Sequence, residues 1–234
     1  TKRFFLLLLL VAFPFTSALA QPAPPSPKDF LGYSIGERYT PDYRIVDYFH
    51  ALEQSSPLIK VVQYGETYEH RPLIYAIVAS KANMDRMDEI QRSMVALSDP
   101  IATSNTRSRE IAASAPAVAW LAFGVHGNET SSSEAAMRVA YHLLAGGQDV
   151  DAILRNTVVI IDPCQNPDGH DRYVNWYRQA RGETPDPNPE SLQQFQPWPG
   201  GRFNHYLIDM NRDWAISSQT ETRARIAAFQ QWYP

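Results

Sequence analysis

The run AVAWLAFG, residues Ala117 to Gly124, decides the fold. Its unbroken apolar character reads as a central strand buried on both faces of a sheet. A second run, TVVIID from Thr157 to Asp162, reads the same way. Between them, Ser131 to Ala145 has the pattern of a helix, with Ser and Thr residues available to cap its start. Strand, helix, strand in this order argues for an α/β fold with a mixed, mostly parallel central sheet and helices on both faces.

Upstream, Tyr43 to Gln54 carries Ile45, Val46, Tyr48, Phe49 and Leu52 at helical spacing, and Pro57 closes the element. Ile59 to Tyr64 and Leu73 to Ala79 are β-rich runs joined by a polar stretch containing Gly65, which predicts an antiparallel hairpin. Ala82 to Leu97 reads as one helix, and residues 98 to 116 as a polar loop with at most a helical turn. Downstream, residues 163 to 206 form a long irregular stretch rich in Pro, Asn, Gly and Arg, and a loop that long inside a compact domain is usually functional. Tyr206 to Met210 reads as a short strand and Gln219 to Tyr233 as a helix. An alternating pattern that stops at Pro234 directly after a helix predicts a further strand, so the sheet is expected to be incomplete at its C-terminal end.

The amino end is expected to be a targeting segment. Lys2 and Arg3 precede an apolar run from Phe4 to Phe13, Pro14 breaks it, and Ala18-Leu19-Ala20 is a small-x-small site. Residues 1–20 therefore read as a cleaved signal peptide, residues 21–30 as an extended Pro-rich spacer, and 31–234 as the catalytic domain. The apolar run is too short to span a bilayer, so no stable membrane anchor is expected. The expected location is secreted or periplasmic.

Composition narrows the partners. The chain has 234 residues, is 44% hydrophobic and 12% aromatic, and carries a net charge of -4. That mix supports a folded core, and the missing basic excess argues against nucleic acid as a partner. The single cysteine, Cys164, excludes an internal disulfide framework and reads as a small core residue.

Three polar clusters follow the predicted strands, where open α/β sheets place ligands. His126-Gly127-Asn128-Glu129 comes first. An imidazole and a carboxylate three residues apart can reach one metal ion, and zinc accepts both. His50-Ala51-Leu52-Glu53 has the same spacing but lies in a predicted helix with no polar cluster nearby, so it reads as a chance match. Asn166-Pro167-Asp168-Gly169 comes second and reads as a turn that shapes the loop behind the site. Asp209-Met210-Asn211-Arg212-Asp213-Trp214 comes third. Its Arg offers a two-pronged donor for a carboxylate, and its Asn adds a donor and an acceptor.

In this order the clusters resemble the M14 family of zinc carboxypeptidases. Tyr64-Gly65-Glu66-Thr67-Tyr68-Glu69-His70-Arg71-Pro72-Leu73 is similar to that family's early hairpin, with His70 where Gly is common. The resemblance covers about residues 40 to 234. It implies one zinc ion held in part by His126 and Glu129, with Asp209 orienting the histidine. It implies that Asn211 and Arg212 grip the terminal carboxylate of a peptide or protein substrate. Arg178 looks like the family arginine that polarises the scissile carbonyl, with Arg172 and Arg181 as competing registers. Asp213 stands where Asn is frequent, which could alter the pocket's charge. The loop Trp198 to Arg202 could line the cleft. The third ligand and the general-base glutamate are expected beyond Pro234, so the chain by itself should be inactive; His142, His170 and His205 do not fill the ligand's place. Two other readings share these motifs. One is an amidohydrolase of the same fold acting on cell-wall peptides or N-acyl amino acids. The other is an inactive carboxypeptidase-like binding domain.

Overall fold

The computed structural model describes residues 23–234; the expected signal segment lies outside the described residues. Helix α1 (Pro27–Leu31) is a single turn capped by Ser26, so the spacer expected to be extended ends in helix. Helix α2 (Asp42–Ser55) leads into the hairpin of β1 (Ile59–Glu66) and β2 (Pro72–Val78). Helices α3 (Lys81–Met84), α4 (Met87–Ser98) and α5 (Asn105–Ser114) precede β3 (Ala117–Ala122). Then come α6 (Ser131–Ala145), α7 (Gln148–Asn156), β4 (Thr157–Asp162), α8 (Pro167–Ala180) and α9 (Thr220–Phe229). Among the described residues, no helix is long and apolar enough to cross a membrane.

The sheet is mixed, as expected, with the order β1-β2-β4-β3. β1 and β2 run antiparallel, β2 and β4 antiparallel, and β3 and β4 parallel. Antiparallel pairings therefore outnumber the parallel one among the described strands, where a mostly parallel sheet was expected. Alternation along the middle strands builds a core on each face. Ile74, Ala76, Val78, Val159 and Ile161 pack with Ile45, Phe49 and Leu52 of α2 and Met137 and Ala140 of α6. On the other face Tyr75, Ile77, Val158 and Ile160 pack with Ile90 of α4 and Ala228 of α9. Helices thus cover both faces.

Among the described residues β3 has one neighbour, β4, and its end residues Ala117 and Ala122 are exposed. Apolar composition reported a strand, but its place in the sheet depends on partners that composition does not name.

Other differences have local causes. Residues 82 to 97 form two helices, because the chain turns at Asp85-Arg86 between α3 and α4. α5 lies where a loop was expected; it buries only Ile111, so it has no apolar stripe to read. α8 occupies the first part of the expected long loop. Asn166 caps it by accepting from Gly169 N, and Pro167 takes the first turn; the residues that suit a turn also start a helix. The expected strand at Tyr206 to Met210 is irregular and ends in a short 3₁₀ turn, Met210–Arg212.

Candidate metal centre

Three glycines lock the site together. A Cβ built on Gly127 would lie 2.1 Å from His170 N and 2.6 Å from Gly201 O. One on Gly169 would lie 2.4 Å from Gly201 O, and one on Gly201 would lie 2.6 Å from Gly169 O. Only glycine lets the backbones of three separate segments approach this closely. Asn166 ties the same joint: its Nδ2 donates to Val125 O at 3.4 Å and Arg202 O at 3.1 Å. The Asn-Pro-Asp-Gly sequence is therefore a helix start that sets the height of the His126 loop against the Arg202 loop. Asp168, buried, accepts from Thr67 Oγ1 at 2.7 Å and pairs with Arg71 at 2.8 Å, which pins the early hairpin to α8.

On this frame His126 is buried between two carboxylates. Its Nδ1 is 2.9 Å from Glu129 Oε1, and its Nε2 is 3.0 Å from Asp209 Oδ1. Asp209 also accepts from Asn211 N at 3.0 Å, capping the 3₁₀ turn. Its other oxygen accepts from Arg202 Nη2 at 2.9 Å and Nε at 3.2 Å. Burial tends to raise the Asp209 carboxyl, but hydrogen bonds from His126 and Arg202 outweigh it and hold it below the usual range. Asp209 is thus a fixed anion at neutral pH, suited to receive a proton from Nε2 and fix the imidazole's orientation.

That arrangement supports a cation test of the notch. With Nε2–H directed at Asp209, Nδ1 turns a lone pair toward Glu129 Oε1. Two acceptors 2.9 Å apart need a proton or a cation between them. Zinc donors at about 2.1 Å in a tetrahedral shell stand about 3.4 Å apart, so a small opening of Glu129, which is exposed, fits both to one ion. Positive charge is already drawn to the place: Arg202 Nη1 lies 3.3 Å from His126 Nδ1 and 3.9 Å from Glu129 Oε1. Among the described residues, no third His, Cys, Asp or Glu closes a ligand set with this pair.

The other expected residues are distributed as follows. Asn211 and Arg212 follow Asp209 directly, both exposed, and Arg212 pairs with no carboxylate among the described residues. Arg178 is not brought to the notch. Asn166 at the start of α8 touches Arg202, and Arg178 lies about 18 Å further along the axis at 1.5 Å per residue, lining a different cavity. Arg172 donates to the carbonyls of Gly200, Phe203 and Asn204, and so braces the Arg202 loop. The arginine that reaches His126 is Arg202, which the sequence reading grouped only with a cleft-lining loop. Asp213 turns inward and accepts from Ser218 and Gln219. His170 is buried and bonded to Thr40 O at 2.8 Å. His205 instead joins Glu69 and Asp168 in a second carboxylate–imidazole group, where Arg71 supplies the positive charge.

The pattern of the zinc carboxypeptidase family, peptidase M14, matches residues 45–233, and the chain belongs to that family. No curated protein matches it. Solved structures share the fold. A putative carboxypeptidase A from Shewanella denitrificans is 17% identical with a TM-score of 0.51, covering 83% of this chain and 37% of the other. Thrombin activatable fibrinolysis inhibitor is 14% identical with a TM-score of 0.54, covering 82% and 44%. The chain spans less than half the length of these two structures.

Proposed function

We propose that the chain carries part of the active site of a zinc-dependent metallocarboxypeptidase, a hydrolase of C-terminal peptide bonds. The observation that carries this reading is His126 held between Glu129 and Asp209 with a guanidinium at the open side. His126 Nδ1 and Glu129 would hold one zinc ion. Bound there, the metal would lower the pKa of water and polarise a carbonyl.

The remaining work falls to this chain's own side chains. Asp209 keeps the Nε2 proton and so keeps Nδ1 free to ligate. Arg202 takes the role that the family resemblance suggested for Arg178. Its N–H groups face the place where negative charge develops on a carbonyl oxygen, an interaction worth about 3 kcal/mol for one good donor. Asn211 and Arg212 would grip the terminal carboxylate of a peptide or protein substrate, so that the last peptide bond is the one presented. The leader expected in residues 1–20 points to a secreted or periplasmic location.

The test is metal analysis of the purified full-length protein, with release of C-terminal residues from ordinary peptides. Muropeptides and N-acyl amino acids serve as rival substrates. About one zinc per chain with release from peptides supports the proposal. Absence of zinc and of any peptide release rejects it, and hydrolysis of only a rival substrate replaces it with an amidohydrolase of the same fold.

A further inference from the structure

A cavity of about 380 Å³ lies between the segment that leads into α2 and the carboxyl end of α8. Its volume falls within the usual range of small-molecule sites. It contains none of the residues assigned to the metal notch. Four arginines line it, Arg38, Arg44, Arg178 and Arg181, against one acid, Glu183. The chain as a whole is negative, so this local excess runs against its average charge.

Local structure accounts for only part of the excess. Arg178 and Arg181 suit the carboxyl end of α8, where the helix dipole favours cations. Arg44 does not: it stands in the first turn of α2, where the dipole disfavours positive charge. Among the described residues the only carboxylate in ion-pair reach of Arg38 is Glu37, at 3.9 Å, and both side chains are exposed. Among the described residues, Arg44, Arg178 and Arg181 have no carboxylate within ion-pair reach. Arg44 stacks over the Phe30 ring at 4.5 Å and gives one N–H to Phe30 O, and Arg181 gives one to Glu37 O. Arg181 Nε is buried with no partner. A guanidinium has five donors, so most of these donors have no protein partner among the described residues.

Most of the rest of the wall is aromatic, with Tyr33, Tyr39, Tyr43 and Tyr177 beside Pro41 and Gly182. Tyr39 and Tyr177 stand with centroids 4.5 Å apart, and the Tyr33 ring lies under Arg38 at 5.5 Å. Arginine forks match phosphate and carboxylate oxygens in two-pronged fashion, and tyrosine faces suit a flat ring body. We propose that this cavity is a second binding site, separate from the metal notch, for a small ring compound bearing a multiply charged oxyanion. The site recognises phosphate or carboxylate oxygens through the arginines and the ring through Tyr33, Tyr39 and Tyr177.

Calorimetric titration of the purified protein tests this with three probes: phenyl phosphate, phthalate and inorganic phosphate. A ring-borne oxyanion is expected to bind with Kd below about 1 mM (about 4 kcal/mol) and about tenfold tighter than inorganic phosphate. Whichever of phenyl phosphate and phthalate binds tighter identifies the oxyanion the site prefers. Binding to the unaltered protein weakens as salt is raised. The double substitution Arg38→Gln, Arg178→Gln, at two exposed positions, lowers affinity at least about tenfold and leaves zinc content unchanged. Lack of binding by both ring compounds at about 10 mM overturns the proposal. So does a double variant that binds as well as the parent, or inorganic phosphate binding as tightly as the ring compounds. None of these outcomes touches the metal reading, whose own test is zinc content and peptide release.

Discussion

His50 and Glu53 in α2 stand 3.4 Å apart, and His126 and Glu129 after β3 stand 2.9 Å apart. Both pairs follow the same H-x-x-E spacing, and both bring imidazole and carboxylate together. What differs is everything around them. His50 is exposed, and Glu53 spends its other oxygen accepting from Val61 N at 2.8 Å, fixing α2 to the hairpin. His126 is buried, and its second nitrogen meets Asp209, which in turn holds Arg202. Spacing creates a pair; a metal notch also needs a buried imidazole whose far nitrogen is fixed by an anion, and only one pair has that.

The histidines carry the largest expected effect. Replacing His126 by Ala should lower zinc affinity at least about 100-fold, beyond the loss of an outer partner. His50→Ala should leave zinc content unchanged and alter stability by no more than about 0.5 kcal/mol. Metal analysis after dialysis, with thermal unfolding, separates the two; equal zinc loss in both variants would end the distinction.

The second residue of each motif gives the next effect. Gly127→Ala puts a methyl 2.1 Å from a backbone nitrogen and should cost about 3 kcal/mol or more in denaturant unfolding. At the matching position in α2, Ala51→Gly should cost only about 1 kcal/mol, the helix-propensity difference.

Asp209→Asn sharpens the contrast further. It keeps the shape but removes the charge that fixes Nε2–H, and zinc affinity should fall about 10- to 100-fold by competition with a chelator. Glu53→Gln should leave zinc affinity where it was.

A buried acid beneath the His126 loop supplies the last test. Asp162 ends β4, and its backbone oxygen accepts from Phe123 N. Burial, opposed by Arg225 and by a hydrogen bond from Tyr64, pushes its carboxyl up to about 7. Its folded value lies above its unfolded value, so between these the unfolded chain is the ionised form. The stability contributed by the neutral acid is full below about pH 4 and is lost as pH rises toward 7. Asp162→Asn removes that dependence. Relative to the parent, the variant should gain about 3 kcal/mol between pH 5 and pH 9 by chemical unfolding at each pH. A flat difference across that range would show that Asp162 is not held neutral.

Much of the fold was legible because periodicity reports burial directly. Helices α2 and α6, the β1–β2 hairpin and β4 each carry an apolar pattern that the core uses. α5 and α8 were not legible. α5 buries one apolar residue, and α8 presents mostly polar groups to its neighbours, so neither has a stripe. At the site, His126, Glu129 and Asp209 could be listed as neighbours from motif order, but the arginine could not. Gly201-Arg202 gave one signal that could have found it: a glycine pair just before an arginine, like the glycine beside His126.

The amino-acid sequence by itself determined the family, the strands that carry the motifs and the residue types able to hold a metal. All of these depend on neighbours a few positions apart. Only the tertiary structure decided which arginine faces His126, because that choice rests on three glycine backbones meeting from segments 42 and 32 residues apart along the chain. It also decided that Arg178 joins three other arginines around a separate cavity. Contacts between distant segments are set by packing of whole elements, and no local pattern encodes them.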